Sequence, residues 1–271
     1  MVESLKELNN ICQKPRYKEV GNWMVRNILR DAALPITWAL LHTPVTANQV
    51  TLASLGIGLF GILLMAFVGK GWFLLGALLL QAWYLLDHVD GQIARYRKTA
   101  CLTGRFFDFL THHLIHGVIF FFLGFYAFRA GYSSFFIVWG FVASVSMMTF
   151  NLLNDTKYKT FFEKIMTLKS VEIISDENAA ASADEGQCQA VPETSLARRA
   201  FSWCHKISEI HVLMNIITLA AFFQVFAGHA PDFRFLLLII YGFVAPAIAG
   251  VKASYLIINR KIDDEFERTF K

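Results

Sequence analysis

The chain lacks most of what marks a soluble or secreted domain. Its four cysteines (Cys12, Cys101, Cys188, Cys204) show no paired short spacing, which argues against a disulfide framework or a structural zinc site. Charge is scarce: 17% of the 271 residues are charged against 55% hydrophobic, with 26 Phe, too apolar and aromatic for an ordinary soluble domain. Met1 to Lys18 is polar and lacks the apolar stretch of a cleavable signal peptide, so the first span is expected to direct insertion. There is no internal repeat. Val171–Ala197 has no Lys or Arg at all but carries Glu172, Asp176, Glu177, Asp184, Glu185 and Glu193 among Ala, Ser and Gln. It reads as a weakly ordered insertion.

What the chain has instead is long apolar runs. A helix needs roughly 20 apolar residues to cross the hydrocarbon core. Six candidates lie near Ala47–Val68, Gly71–Arg95, Leu102–Phe128, Tyr132–Leu153, Val212–Ala227 and Phe233–Ile258. The fifth is short and interrupted by Asn215 and Gln224. Gly69–Gly71 and Ala130–Gly131 read as tight turns. Before the spans, Tyr17–Leu41 mixes Trp23, Ile28, Leu34 and Trp38 with Lys18, Arg26, Arg30 and Asp31, and Pro35 is expected to break any single helix. The segment is expected to lie amphipathically on the membrane surface, its Lys and Arg at the headgroups; a soluble helix packed on a cytosolic loop is the alternative. The expected fold is therefore all-α and polytopic: an interfacial segment over 1–46, a six-span domain over 47–258, and a tail over 259–271. Residues 155–208 form a cytosolic loop within that domain, whose ends Lys157–Leu168 and Leu196–Ile207 are expected to be short surface helices.

The basic residues orient the set. Of 25 Lys and Arg, 21 fall on the side of the two termini; Lys70, Arg129 and Arg234 fall on the other, and Lys252 lies within the last span. Positive charge favours the cytosol, so both termini and the loop after the second span are expected there.

Against this apolar background, residues 87–112, DHVDGQIARYRKTACLTGRFFDFLTH, concentrate acids. Asp87, Asp90, Gly91 and Ala94 fall at i, i+3, i+4 and i+7, one helix face; Gly104, Asp108 and His112 fall at i, i+4 and i+8, another. Charged groups at membrane depth usually serve an ion or substrate path. Three carboxylates and an imidazole converging between two helices suit a divalent metal. The plainer readings are interfacial salt bridges from Asp87 and Asp90 to Arg95 or Arg97, and helix-packing roles for Gly91 and Gly104.

This stretch resembles the signature of the CDP-alcohol phosphotransferase (CDP-alcohol phosphatidyltransferase) family, D-x2-D-G-x2-A-R-x8-G-x3-D-x3-D. Asp87, Asp90, Gly91, Ala94, Arg95, Gly104 and Asp108 fall in register, and only the last acid departs, to His112. Val45–Thr51 resembles, more weakly, the family's P-N-x-x-T at the start of the first span, with Ala47 for Pro; Asn48 is either a nucleotide contact or a plain N-cap.

The resemblance implies an integral membrane enzyme that moves a substituted phosphate from a CDP-alcohol to an alcohol acceptor and releases CMP, in phospholipid or related polar-lipid synthesis. One of donor and acceptor is lipidic, the protein is a homodimer, and no nucleic acid is involved. It implies Mg²⁺ or Mn²⁺, two ions, held by Asp87, Asp90 and Asp108, with His112 in the fourth place. Gly91 and Gly104 would let the nucleotide approach the backbone, Ala94 would clear space for cytidine, and Arg95 would pair with a phosphate. For His112 three readings stand: it is the general base and a metal ligand; His113, His116 or Asp87 takes the proton; or the site is impaired, leaving a scaffold that binds CDP-alcohol. A divalent-cation transporter is a further alternative, but it calls for acids on several spans, and these cluster on two.

Overall fold

Side chains that cap free amides set where some of the helices begin. A computed structural model describes residues 3–13, 23–168, 206–207, 209–226 and 232–270. Ser4 and Glu7 form a capping box ahead of α1 (Leu5–Cys12), and Thr46 and Gln49 form one ahead of α3 (Ala47–Met65). Between them, a π-helical stretch (Val25–Leu29) leads into α2 (Arg30–Leu41). Then come α4 (Lys70–Tyr96), α5 (Leu102–Arg129), α6 (Phe135–Met166), α7 (Ile210–Phe226), α8 (Phe233–Ile258) and α9 (Lys261–Thr269). Every secondary-structure element among the described residues is a helix.

Five of these, α3, α4, α5, α6 and α8, are long and apolar enough to cross a membrane. The expected fifth span, α7, has 17 residues; at ~1.5 Å per residue it reaches ~25 Å, short of the ~30 Å hydrocarbon core. The turns between α3 and α4 and between α5 and α6 use Gly69 (φ +132°) and Gly131 (φ +93°), backbone conformations that a Cβ disfavours. Gly71 lies inside α4 rather than in the turn.

Two expectations are corrected. Pro35 does not break the N-terminal segment: it sits inside α2. A proline in a helix interior costs roughly 3 kcal/mol, and here buried Ala33, Leu34, Thr37 and Leu41 offset it by packing inward. Nor does the chain become a loop at residue 155. It continues α6 to Met166, since no Gly or Pro interrupts 141–166. This extension is braced by α9: Lys157 Nζ lies 2.6 Å from Glu265 Oε1, and the Phe161 and Phe266 rings are 5.4 Å apart. The insertion expected at 171–197 and the surface helix expected near 196–207 fall almost wholly outside the described residues.

Two main apolar clusters hold the bundle, and a third, of Phe150, Ile248 and Ala249, joins α6 to α8. The larger joins Phe73, Leu80 and Trp83 of α4, Ile119, Phe120 and Leu123 of α5, Ile217 of α7 and Tyr241 of α8. The smaller joins Leu8 and Cys12 of α1, Ala33 and Leu34 of α2 and Val50 of α3 to Val89 and Ile93 of α4. The N-terminal helices are thus packed on the helix that carries the acids. Paired glycines let the spans touch: a Cβ on Gly76 would strike the Gly61 carbonyl, and one on Gly140 the Phe120 carbonyl.

Gly140→Leu is therefore expected to destabilise the bundle by about 1–3 kcal/mol or more, while Gly56→Leu, whose added Cβ meets nothing within 4 Å, is expected to be neutral. Thermal unfolding of the purified variants in detergent checks this; equal melting temperatures would refute the close-packing account.

Candidate active site

Two helices meet at the acids. Asp87 comes from the last turns of α4, Asp108 and His112 from the first turns of α5. His112 Nε2 lies 3.0 Å from Asp87 Oδ1 and 3.3 Å from Asp108 Oδ1. The hydrogen bond goes to Asp87, so the buried Asp108 Oδ1 has no hydrogen-bond partner among the described residues. One ligand atom from each of these three residues lies within 4.8 Å of the others, the spacing of a shared cation site. The Trp83 ring, 5.1 Å from that of His112, closes one side with apolar surface.

Asp90, one helical turn on, stands outside this trio. Its Oδ2 accepts a hydrogen bond from Thr51 Oγ1 on α3. Asp87, Asp90 and Asp108 nevertheless line one cavity of about 180 Å³, with Gly91 and Arg95. Ala94 is half-buried on the same helix.

The remaining signature residues have identifiable neighbours. Arg95 Nε donates to the Cys12 carbonyl at the end of α1. A Cβ on Gly91 would sit 3.1 Å from Arg95 Nη1, so the bare backbone there makes room for the guanidinium. Gly104 differs. An added Cβ would meet Asn48 Oδ1 at 3.6 Å and Cys101 Sγ at 3.7 Å, ordinary contacts. The protein itself has no steric need for glycine at 104. Asn48 stands beside it and is not the N-cap of α3, which is Thr46. Arg97 fixes this corner by donating to the Val45 carbonyl at 2.5 Å and the Thr43 carbonyl at 2.7 Å.

The other two histidines of α5 face α6. His113 Nε2 lies 2.9 Å from Asp155 Oδ2, and His116 Nδ1 pairs with Asn151. Neither ring is directed at the acids in the way that His112 is.

Sequence reading passed over several residues that line the cavity: Gln13, Arg30, His88 and Gln92. His88 and Gln92 occupy open positions inside the signature, and their polarity in an apolar helix was the available signal. Thr51 closes the weak motif on α3. Arg30 left no signal, because only the folding of α2 against α4 brings it in.

Comparison with known proteins gives one result. The family model of CDP-alcohol phosphatidyltransferases matches residues 44–175, which is 132 of the 271 residues. No curated protein matches the chain. The matched region holds α3 to α6 and the whole of 87–112, so the acids, the glycines and Arg95 all lie inside it. Residues 44–175 of this membrane-helical chain thus match the CDP-alcohol phosphatidyltransferase family, the family whose signature the stretch 87–112 resembles.

Proposed function

We propose that the protein transfers a substituted phosphate from a CDP-alcohol to an alcohol acceptor, one of the two being a lipid, and releases CMP. The observation that carries this is the convergence of Asp87, Asp108 and His112, inside the family-matched region, with a buried Asp108 oxygen that lies 3.3 Å from His112 Nε2 but accepts no hydrogen bond among the described residues. Such an oxygen suits a cation. The donor set fits a divalent ion: hard carboxylate oxygens for Mg²⁺ or Mn²⁺, with an imidazole that favours Mn²⁺. When bound, divalent ions neutralise charge on the phosphoryl oxygens and orient attacking and leaving groups.

The chain's own residues then divide the work. Asp87, Asp108 and His112 hold the ion, with Asp90 turned toward the same cavity and steadied by Thr51. Arg95, anchored through Nε, presents its planar fork to the diphosphate. The bare backbone of Gly104 next to Asn48 supports a nucleotide lying against α5, with Ala94 clearing space for the base. For His112, one lone pair on Nε2 cannot both bind a metal and accept the acceptor's proton. Once Nε2 gives up the proton it donates to Asp87, its place between two carboxylates favours the ligand role over that of general base. In-line transfer depends mainly on such positioning and charge compensation.

The skew of basic residues supports an orientation with both termini and the cavity in the cytosol, where the signature's own Arg95, Arg97, Lys98 and Arg105 lie. Exposed Trp23, Ile28 and Trp38 support a membrane-interface location for the outward side of the N-terminal helices. The family resemblance supports a homodimer.

Three outcomes are expected. Asp90→Asn and Asp108→Asn should abolish CMP release from CDP-alcohols while leaving the fold intact; near-normal turnover of either at saturating substrate would sink the assignment. His112→Ala should weaken Mn²⁺ binding, read by the electron paramagnetic resonance of the bound ion, at least about tenfold, and His112→Asp should restore it with a shift toward Mg²⁺. Unchanged Mn²⁺ affinity with a lost acidic limb in the pH–rate profile would return His112 to the role of base. A tag inserted within 171–197 should be cut by protease only from the cytosolic side; cleavage from outside would reverse the orientation.

A further inference from the structure

Arg30 lies outside the family-matched region, on the first turn of α2, yet it lines the same cavity as Asp87, Asp90 and Arg95. Three features hold it there. Gln92 Nε2, from the open position next to Gly91, donates to the Arg30 carbonyl at 2.9 Å. Gln92 is fixed in turn by Thr37 Oγ1, which donates to its Oε1 at 2.7 Å, and both side chains are buried. Last, the π-helical stretch ends at Arg30, whose amide donates to the Val25 carbonyl. One added residue in a turn rotates the segment before it by about 100° against the segment after it, and such bulges occur frequently at functional sites. Beyond the backbone, the Arg30 guanidinium is near enough to the His88 imidazole, another lining group, to act on it electrostatically.

The chemistry of the cavity says what such a cation is for. Three carboxylates line it, and on the reading above the substrate brings a diphosphate into that field. Divalent ions compensate some of this charge. A second planar fork beside Arg95 adds directional donors to phosphoryl oxygens, which a bare ammonium does less well.

We propose that Arg30 is a phosphate-binding residue of the donor site, contributed by the N-terminal helices, and that with Arg95 it grips the diphosphate of the CDP-alcohol. This rests on the CDP-alcohol reading. A plain counter-ion to the acids would act on the metal; a phosphate ligand acts in proportion to the phosphates on the nucleotide.

The test measures binding of CDP, CMP and cytidine, and of Mn²⁺ alone, to the full chain and to Arg30→Gln and Arg30→Lys in detergent, with melting temperatures to verify folding. Arg30→Gln should weaken CDP about tenfold or more, the loss of one charge-assisted hydrogen bond, CMP less, and cytidine and Mn²⁺ not at all. Arg30→Lys should recover part of the CDP affinity. Unchanged CDP binding in Arg30→Gln, an equal loss for cytidine, or a loss tracking weaker Mn²⁺ binding would each overturn the role of Arg30 while leaving the CDP-alcohol reading standing. Failure of the unmodified chain to bind CDP would overturn both. Should Arg30→Gln fail to fold, a folded Arg30→Lys with undiminished CDP affinity would still count against the fork.

Discussion

Carboxylates among apolar helices are costly unless each finds a partner. Most of the arrangement around residues 87–112 stems from that constraint. Asp87 takes the His112 imidazole, across the α4–α5 contact. Asp90 takes the Thr51 hydroxyl, across the α3–α4 contact. Asp108 keeps one buried oxygen, 3.3 Å from His112 Nε2, that accepts no hydrogen bond among the described residues. Each pairing is also a tie between helices, so the groups that would hold a cation fix the mutual position of α3, α4 and α5. The close glycine contact between α3 and α4 makes such short ties geometrically available.

The side of α4 that meets the N-terminal helices is occupied just as fully. Leu8, Cys12, Ala33 and Leu34 pack on Val89 and Ile93, while Gln92 and Arg95 bond to backbone carbonyls of the N-terminal helices. Acids tied to α3 and α5, and polar anchors tied to the N-terminal helices, leave α4 little freedom to rotate. A helix so held keeps its carboxylates aimed without help from the lipid, which offers no hydrogen bonds.

Much of this was legible in the sequence, and the illegible parts have physical reasons. Apolar runs located five spans, because a helix that must cross hydrocarbon is constrained in composition along its whole length. Register put Asp87 with Asp90 on one helix face and Asp108 with His112 on another, because helical periodicity relates sequence spacing to faces. The end of α6 was misread because Lys157, Lys159 and Lys164 signal departure from lipid, not the end of a helix. Pro35 misled because local propensity yielded to tertiary packing. Thr51 and Arg30 are tertiary neighbours of the acids, separated from Asp90 by 39 and 60 positions, and no local pattern carries such a contact. Asn48 was undecided between cap and site until Thr46 proved to be the cap.

The length of α6 has a mechanical consequence. Its 32 residues make a rod of ~48 Å, against a hydrocarbon thickness of ~30 Å. A rod spanning that thickness upright leaves ~18 Å outside it. On that overhang Asp155 reaches toward His113, one position beyond His112, and Lys157 and Phe161 clasp α9. The overhang thus ties the C-terminal helix α9, through α6, to the residue that follows His112.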